Sequence, residues 1–171
     1  MWLDLVRDFQ SLIVGAGGFL GVIFTLRHNA RLARDQREDE RRYERDALRS
    51  ALIAELEIVK DSFETNLNQQ YAEVESGLVP TDPLDNAYRA LMPRIGLLAE
   101  GEVSKAMAAY LTLQTYNGNL FLIGTPAPNN PRHVLVGPTQ VPRLQGMTRG
   151  TLKKVDEALA ALREARDRRG R

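Results

Sequence analysis

Residues Ser11–Leu26 read SLIVGAGGFLGVIFTL and contain no charged side chain, and the chain changes character abruptly after them. The uncharged run begins at Phe9 and is closed by Asp8 and Arg27, so it has about the minimum length of a membrane-spanning helix. Its Leu, Ile, Val and Phe side chains each favour the bilayer centre by about 0.3 to 0.6 kcal/mol. The run predicts one transmembrane helix, with a buried core helix of a soluble protein as the alternative.

Small residues recur at four-residue spacing along this run. Ser11 and Gly15 form one such pair, and Gly17 and Gly21 form a G-x-x-x-G pair. Small residues allow two helices to approach closely in lipid. We therefore expect these four positions to pack helix against helix in a homo-oligomer.

Gly15, Gly18 and Gly21 also fit the G-x-x-G-x-x-G turn of extended short-chain dehydrogenases and epimerases. That turn follows a strand and needs an acidic residue at the end of the second strand, about twenty residues on. Asp35 lies at that distance, but it belongs to a charged run with helical character, and no Tyr-x-x-x-Lys pair occurs. A nucleotide-binding enzyme is the least favoured class.

Composition limits the remaining possibilities. With 171 residues and 43% apolar content the chain can build one modest core, and its net charge of +1 provides no general basic field for nucleic acid. There is no cysteine, so disulfides and thiolate metal sites are excluded. The two histidines are far apart, and no Walker loop or H-E-x-x-H motif occurs. We predict no catalytic residue, no cofactor and no metal.

Charge asymmetry across the run predicts its orientation. One arginine precedes it, whereas six arginines follow it within sixteen residues. Lys and Arg stay on the cytoplasmic side, so we expect the N-terminus outside and the C-terminal bulk inside the inner membrane. Trp2 is expected at headgroup level on one side, and Arg27, Arg31 and Arg34 are expected to contact lipid headgroups on the other.

The next segment, residues 27–50, is dense in both charge signs, with eight arginines against six acids. Opposite charges four residues apart, such as Glu38 and Arg42, support a helix by a few tenths of a kcal/mol each. We predict a solvated helical stalk rather than a nucleic-acid-binding arm. The domain organisation is then an anchor at 1–26, a stalk at 27–50 and a helical bundle at 51–171.

Apolar residues at three- and four-residue steps predict helices after the stalk. The first stripe includes Leu48, Leu52, Leu56 and Val59. Together these patterns predict an all-α fold in which one transmembrane helix continues into a long charged helix and a small antiparallel bundle. Tyr88 and Tyr110 are expected to be core aromatics with hydrated hydroxyls, and Asn117 is expected to hydrogen-bond within the bundle. The predicted helices cover residues 29–75, 84–92, 101–122 and 151–168.

Residues 124–146 break the helical pattern because they are rich in proline and asparagine. We predict an irregular loop, with one short extended piece at Val134–Val136. A long loop is either functional or mobile, so Arg132, His133, Val134, Leu135 and Val136 are a candidate contact surface for a protein partner. A flexible connector is the alternative. His133 has no carboxylate or second histidine nearby in sequence, so a metal role is not expected.

Four segments of the chain are similar to parts of uncharacterised small bacterial single-pass membrane proteins. They are the glycine-rich run, NARLARD at 29–35, ALRSALIAEL at 47–56 and RIGLL at 94–98. The resemblance implies an anchored helical cytoplasmic module, and it carries no activity and no site residues.

Two function classes follow from these expectations. The first is a non-enzymatic, membrane-tethered helical scaffold that self-associates and holds an unidentified protein partner at the bilayer. The second is a phage- or toxin-type effector whose glycine-rich helices oligomerise and permeabilise the bilayer. Dye leakage with toxicity on expression would favour the second class over the first.

Overall fold

The computed structural model describes the backbone of residues 2–68, 77–81 and 85–167, and the side chains from residue 24 onward within these ranges, except that of residue 77. The chain divides into an N-terminal unit, Met1–Tyr43, and a C-terminal unit, Glu44–Arg171. The described part is mostly helical, as predicted, with a small sheet of three strands. In chain order its elements are α1 (Trp2–Asn68), β1 (Gly77–Pro80), α2 (Asn86–Leu91), a 3-10 helix (Met92–Leu97), α3 (Glu100–Ile123), β2 (Thr125–Ala127), β3 (Asn130–Val136), a short 3-10 turn (Pro138–Gln140) and α4 (Val141–Asp167).

In the N-terminal unit the described side chains, from Phe24 to Tyr43, are all exposed. The predicted pair of Glu38 and Arg42 is confirmed, with 3.3 Å between Oε2 and Nη2. No helix in the described part of the chain is long and apolar enough to cross a membrane. The predicted span falls mainly on residues 11–23, whose side chains lie outside the described set.

The part of α1 in the C-terminal unit forms the first side of the core. Leu48, Leu52, Leu56 and Val59 are at most 3% exposed, which confirms the predicted apolar stripe. Good helix formers with apolar side chains at helical spacing produce this one-sided burial. The predicted helix ended at residue 75, and its last seven residues, 69–75, lie outside the described set.

The helices of the C-terminal unit form a bundle, as predicted, but one neighbouring pair in it, α1 and α3, is not antiparallel. Arg49 contacts Glu102 and, further along both helices, Phe63 contacts Tyr116. Residue numbers rise together along the two helices, so α1 and α3 run parallel here. The chain between α1 and α3, which contains α2 and the 3-10 helix, is long enough to return to the end of the core at which α1 enters, and α3 begins near that end.

Helix α4 runs antiparallel to this part of α1. Nη2 of Arg163 lies 2.5 Å from Oε1 of Glu57, and Nζ of Lys60 lies 2.7 Å from Oδ1 of Asp156. From the first contact to the second, the residue number rises on α1, from 57 to 60, and falls on α4, from 163 to 156. The predicted helix 151–168 is confirmed up to Asp167, but it begins ten residues earlier, at Val141. Pro142 is compatible with this start because the first helical turn does not need its N–H.

The prediction of an irregular loop at 124–146 is wrong. Its first half forms β2 and β3, which pair antiparallel through the turn at Pro128 and Asn129, and β1 pairs with the other edge of β3. Prolines are tolerated here because Pro126 lies on an edge strand and Pro131 lies near the start of β3. The extended piece predicted at Val134–Val136 is confirmed as the end of the central strand.

The core consists of two apolar clusters in the C-terminal unit. The larger cluster joins α1, α3 and α4 and includes Leu52, Tyr110 and Leu159. The smaller one joins the inner face of the sheet to the ends of the helices and includes Leu120 and Val134. The predicted helix at 101–122 is confirmed as α3, and the short helix predicted at 84–92 is confirmed as α2, which ends at Leu91 and is followed by the 3-10 helix that contains Pro93.

Candidate functional site

The residues predicted to act at the membrane are only partly described. Arg27, Arg31 and Arg34 are exposed residues of α1. Their side chains are therefore accessible, as headgroup contacts require, but lipid contact itself stays a prediction. The side chains of Trp2, Ser11, Gly15, Gly17 and Gly21 lie outside the described set, and their backbone belongs to α1.

The helical backbone at these glycines bears on the dinucleotide-binding alternative. A phosphate-binding glycine turn needs a strand before Gly15 and a tight turn through Gly21. Both positions lie inside the continuous helix Trp2–Asn68. The GAGGFLG segment therefore does not have the strand–turn–helix context that the motif requires.

The predicted partner-contact segment is β3, and its side chains alternate between two environments. Val134 and Val136 are 0% exposed and belong to the core, so they do not offer a contact surface as predicted. His133 and Leu135 lie on the opposite face of the strand because side chains alternate along a strand. Arg132 is exposed. The partner-contact prediction therefore applies only to Arg132, His133 and Leu135.

The outer face of the sheet is more apolar than expected of a solvated surface. Leu135 pairs with Leu78, which is 58% exposed, and His133 pairs with Pro80. Nδ1 of His133 is buried and makes no hydrogen bond to any described group. These four residues form one continuous patch across β1 and β3.

A buried ion pair connects α1 to the start of α3. Nε and Nη2 of Arg49 donate to Oε1 and Oε2 of Glu102 at 2.6 and 2.9 Å, and both side chains are 4% exposed. Nη1 of Arg49 also donates to Asp46, and the backbone N–H of Ala99 donates to Glu102. Burial acts to raise the pKa of the Glu102 carboxyl, but these hydrogen bonds hold that pKa below its usual value.

A second carboxylate organises α2. Oε1 of Glu55 accepts from the N–H of Ala87 at 2.6 Å, and Oε2 accepts from the N–H of Tyr88 and the hydroxyl of Tyr110. A carboxylate at these N–H groups complements the positive end of the helix. The hydroxyl of Tyr110 was expected to be hydrated; instead it is buried, and burial and its bond to Glu55 raise its pKa.

A cleft lies between α1, β1 and α3. It encloses about 390 Å³, including the part that is open to solvent. Its walls are mainly apolar, with Phe63 and Leu113 among them, and Ser62, Asn66 and Asn117 supply the polar groups. Asn117 therefore lines this cleft.

The polar groups of the core are arranged to hold helices together. Arg49 and Glu102 neutralise each other, and Glu55 binds backbone N–H groups of α2 and the hydroxyl of Tyr110. Within the described ranges no group of three or more potential metal ligands occurs.

The Arg49–Glu102 ion pair and the contacts of Glu55 escaped sequence analysis for the same reason. Arg49 and Glu55 lie on the apolar side of α1, three or four residues from Ile53 and Leu52, where a charged residue must find a buried partner. A charged residue on the apolar side of a predicted helix is therefore the sequence feature that indicates a buried polar contact. The partners, Glu102 and Tyr110, are more than fifty residues away, so no local pattern identifies them.

Comparison of the chain with protein-family models, with curated proteins and with solved structures finds no match.

Proposed function

We propose that this chain is a non-enzymatic, membrane-tethered helical interaction module that self-associates. It spans the inner membrane once through residues 9–26, with its N-terminus outside and its C-terminal unit in the cytoplasm. Lipid is its first partner, a second copy is its second, and an unidentified protein is held at the membrane surface.

The observation that carries this proposal is the continuity of α1. One helix, Trp2–Asn68, contains the uncharged run, the exposed charged segment and the first stripe of the folded core. A helix satisfies its own backbone hydrogen bonds and is one of two structures that can cross lipid. A glycine-rich segment in helical form is also what close packing of two spans requires.

Charge supports the proposed orientation. Arg27, Arg31 and Arg34 directly follow the uncharged run, and their side chains are exposed. Arginine near an anionic surface contributes about 1 kcal/mol per residue. These three residues precede the first acid of the segment, Asp35.

The test is fractionation of the full-length chain after expression, with carbonate and detergent washes of the membrane fraction. We expect the wild-type chain to resist carbonate and to dissolve in detergent. Leu20→Arg should move it to the aqueous fraction, because arginine at a helix centre costs about 2.5 to 3.5 kcal/mol of insertion energy.

Leu32→Arg is the matched control, since Leu32 is exposed in the charged segment and 48% accessible. This variant should fractionate as the wild type does. Extraction of the wild-type chain by carbonate alone, as a compact monomer, would overturn the proposal.

A further inference from the structure

The balance of charge changes along the C-terminal unit. Over the whole chain Lys and Arg nearly equal Asp and Glu, 23 against 22. Between Glu102 and Asp156, however, the sequence contains six basic residues and no acidic one. Two of the six, Lys105 and Lys154, form ion pairs with Glu157. This part of the chain therefore carries a local excess of positive charge.

Three of these basic residues lie on the exposed side of α4. Arg143, Arg149 and Lys153 are exposed, and none of them forms an ion pair with a described residue. At 3.6 residues per turn their side chains fall within an arc of about 120° around the helix. The opposite side of the helix, which includes Leu144 and Val155, is buried. The first half of α4 thus presents three unpaired cations to its surroundings.

Helix α3 packs antiparallel beside α4. The hydroxyl of Thr148 donates to that of Tyr116 at 3.4 Å, and Nζ of Lys105 lies 3.0 Å from Oε2 of Glu157. From the first contact to the second, the residue number falls on α3, from 116 to 105, and rises on α4, from 148 to 157. The end of α3 therefore lies beside the start of α4.

This packing brings exposed leucines to the side of the cations. Thr115 and Gly150 line the same groove between α3 and α4. Leu122 lies about two helical turns after Thr115, and Arg143 lies about two turns before Gly150, so both flank the same end of the groove. Leu111, about one turn before Thr115, is on the same side of α3. We call this surface the α3/α4 outer face, and it consists of Leu111, Leu122, Arg143, Arg149 and Lys153.

An anionic lipid surface fits both properties of this face. Lysine and arginine attract anionic headgroups, and leucine enters the boundary between headgroups and acyl chains. Leu111 and Leu122 are 56% and 74% exposed, so they protrude, whereas the apolar anchors of protein interfaces fill pockets. A nucleic acid would offer phosphates to the cations but no apolar surface to the leucines. Three unpaired cations are also few for a nucleic-acid-binding surface, which commonly contacts about six to ten phosphates.

We propose that the α3/α4 outer face binds peripherally to a bilayer with anionic headgroups. The contact goes beyond the proposed function, because the C-terminal unit makes it and no anchor is needed for it. The three cations lie at the headgroup phosphates, and the two leucines enter the bilayer surface. Each cation strengthens partitioning by roughly five-fold, so the contact is reversible, and it weakens as salt screens the charges.

A fluorophore on the face tests this contact. Because the chain has no native cysteine, the full-length Leu122→Cys chain can carry the environment-sensitive label NBD at one position. The labelled chain is reconstituted into vesicles of phosphatidylcholine, with or without phosphatidylglycerol. With phosphatidylglycerol we expect the emission to move to shorter wavelength and nitroxide-labelled lipid to quench it. Concentrated salt should reverse both changes. With phosphatidylcholine alone the label should stay hydrated.

Ile58→Cys is the control for the position of the label. Ile58 is an apolar α1 residue of similar exposure, 61%, and it lies outside the α3/α4 outer face. Its NBD emission should be the same in both kinds of vesicle. A shift of equal size at both positions would mean that the lipid acts on the whole unit, and it would overturn the proposed face.

Two triple variants test the charges in the Leu122→Cys background. The first replaces Arg143, Arg149 and Lys153 by glutamine and should lose the shift, because partitioning falls roughly 100-fold. The second removes three exposed cations elsewhere and should keep the shift; it combines Arg37→Gln, Arg41→Gln and Arg94→Gln. All six side chains are exposed, so circular dichroism should show the same helix content in both variants. A shift that survives the first variant overturns the proposal.

A second arm separates this inference from the proposed function. Phosphatidylglycerol vesicles are added to the chain reconstituted in phosphatidylcholine, so that the face can bind another bilayer, and carbonate extraction is carried out on every sample. A shift in either arm supports the contact, and a hydrated label in both arms overturns it. A chain that resists carbonate without a shift overturns the contact alone. A chain that carbonate extracts but that shifts with phosphatidylglycerol overturns the anchor and supports the contact.

A duplex oligonucleotide added to the phosphatidylcholine sample tests the alternative partner. A shift with the duplex and none with phosphatidylglycerol would assign the cations to nucleic acid and overturn binding to lipid.

Discussion

Arg49 and Glu102 make a bidentate contact in which each side chain is 4% exposed. A buried pair of this kind adds little compared with apolar packing, but the loss of one partner leaves the other charge buried and unpaired. We therefore expect Arg49→Ala and Glu102→Ala each to lower the free energy of unfolding by about 3 kcal/mol. Urea denaturation measures this. Arg42→Ala, which removes the exposed pair with Glu38, should cost less than about 0.5 kcal/mol. A similar loss in all three variants would contradict the argument.

The same pair predicts how stability depends on pH. The pKa of the Glu102 carboxyl is lowered below 4.5 in the folded chain, because its hydrogen bonds from Arg49 and Ala99 outweigh the effect of burial. For an acid with a lowered pKa, the stabilisation is complete above the unfolded pKa and is lost as pH falls through the folded pKa. Unfolding should therefore become easier below about pH 4.5, and Glu102→Gln should flatten this dependence. Urea midpoints measured from about pH 3 to about pH 7 test this prediction. Parallel curves of midpoint against pH for the wild type and for Glu102→Gln would contradict it.

At the scale of elements, two glycines near the end of α3 have opposite constraints. A Cβ at Gly124 would clash with the side chain of Val134 and lie 2.5 Å from the carbonyl oxygen of Leu135. Its backbone is extended, so close approach of β3 rather than conformation requires glycine. Gly124→Ala should lower the free energy of unfolding by about 1 to 3 kcal/mol. At Gly118 a Cβ would meet no described atom within 4 Å, so Gly118→Ala should raise the free energy of unfolding by about 0.5 to 1 kcal/mol. Equal effects of the two changes in thermal unfolding would contradict this contrast.

The elements also differ in how far sequence predicts them. The stripe of Leu48, Leu52, Leu56 and Val59 repeats over three turns, so its period is clear and the buried side of α1 is predicted correctly. The sheet is different, because β1 and β2 have only four and three residues. A strand that short shows no measurable alternation, and its prolines favour a loop. Only pairing with β3, which is remote in sequence from β1, makes these segments strands.

At the scale of the whole molecule, helix direction and the candidate sites depend on long-range contacts. Arg49 and Glu102 are 53 residues apart in sequence, and their contact together with that of Phe63 and Tyr116 shows the parallel arrangement of α1 and α3. Helical periodicity gives the buried side of each helix but not its direction. For the same reason the sequence does not show which residues of the predicted contact segment at 132–136 face inward: Val134 and Val136 become core residues once β3 packs on α3 and α4.

Stability along α1 is expected to be uneven. Residues 24–43 have exposed side chains throughout, whereas Leu52, Leu56 and Val59 are almost completely buried. Helices of about twenty residues without tertiary packing are marginal in water, and their opening costs little free energy. In hydrogen exchange on the full-length chain in detergent, backbone amides at 27–43 should therefore exchange at least about 100-fold faster than those at 52–59. Amides at 106–113 in α3 are the control and should be protected like the second group. Equal protection of 27–43 and 52–59 would instead mean that another chain covers the charged segment, as in a coiled coil.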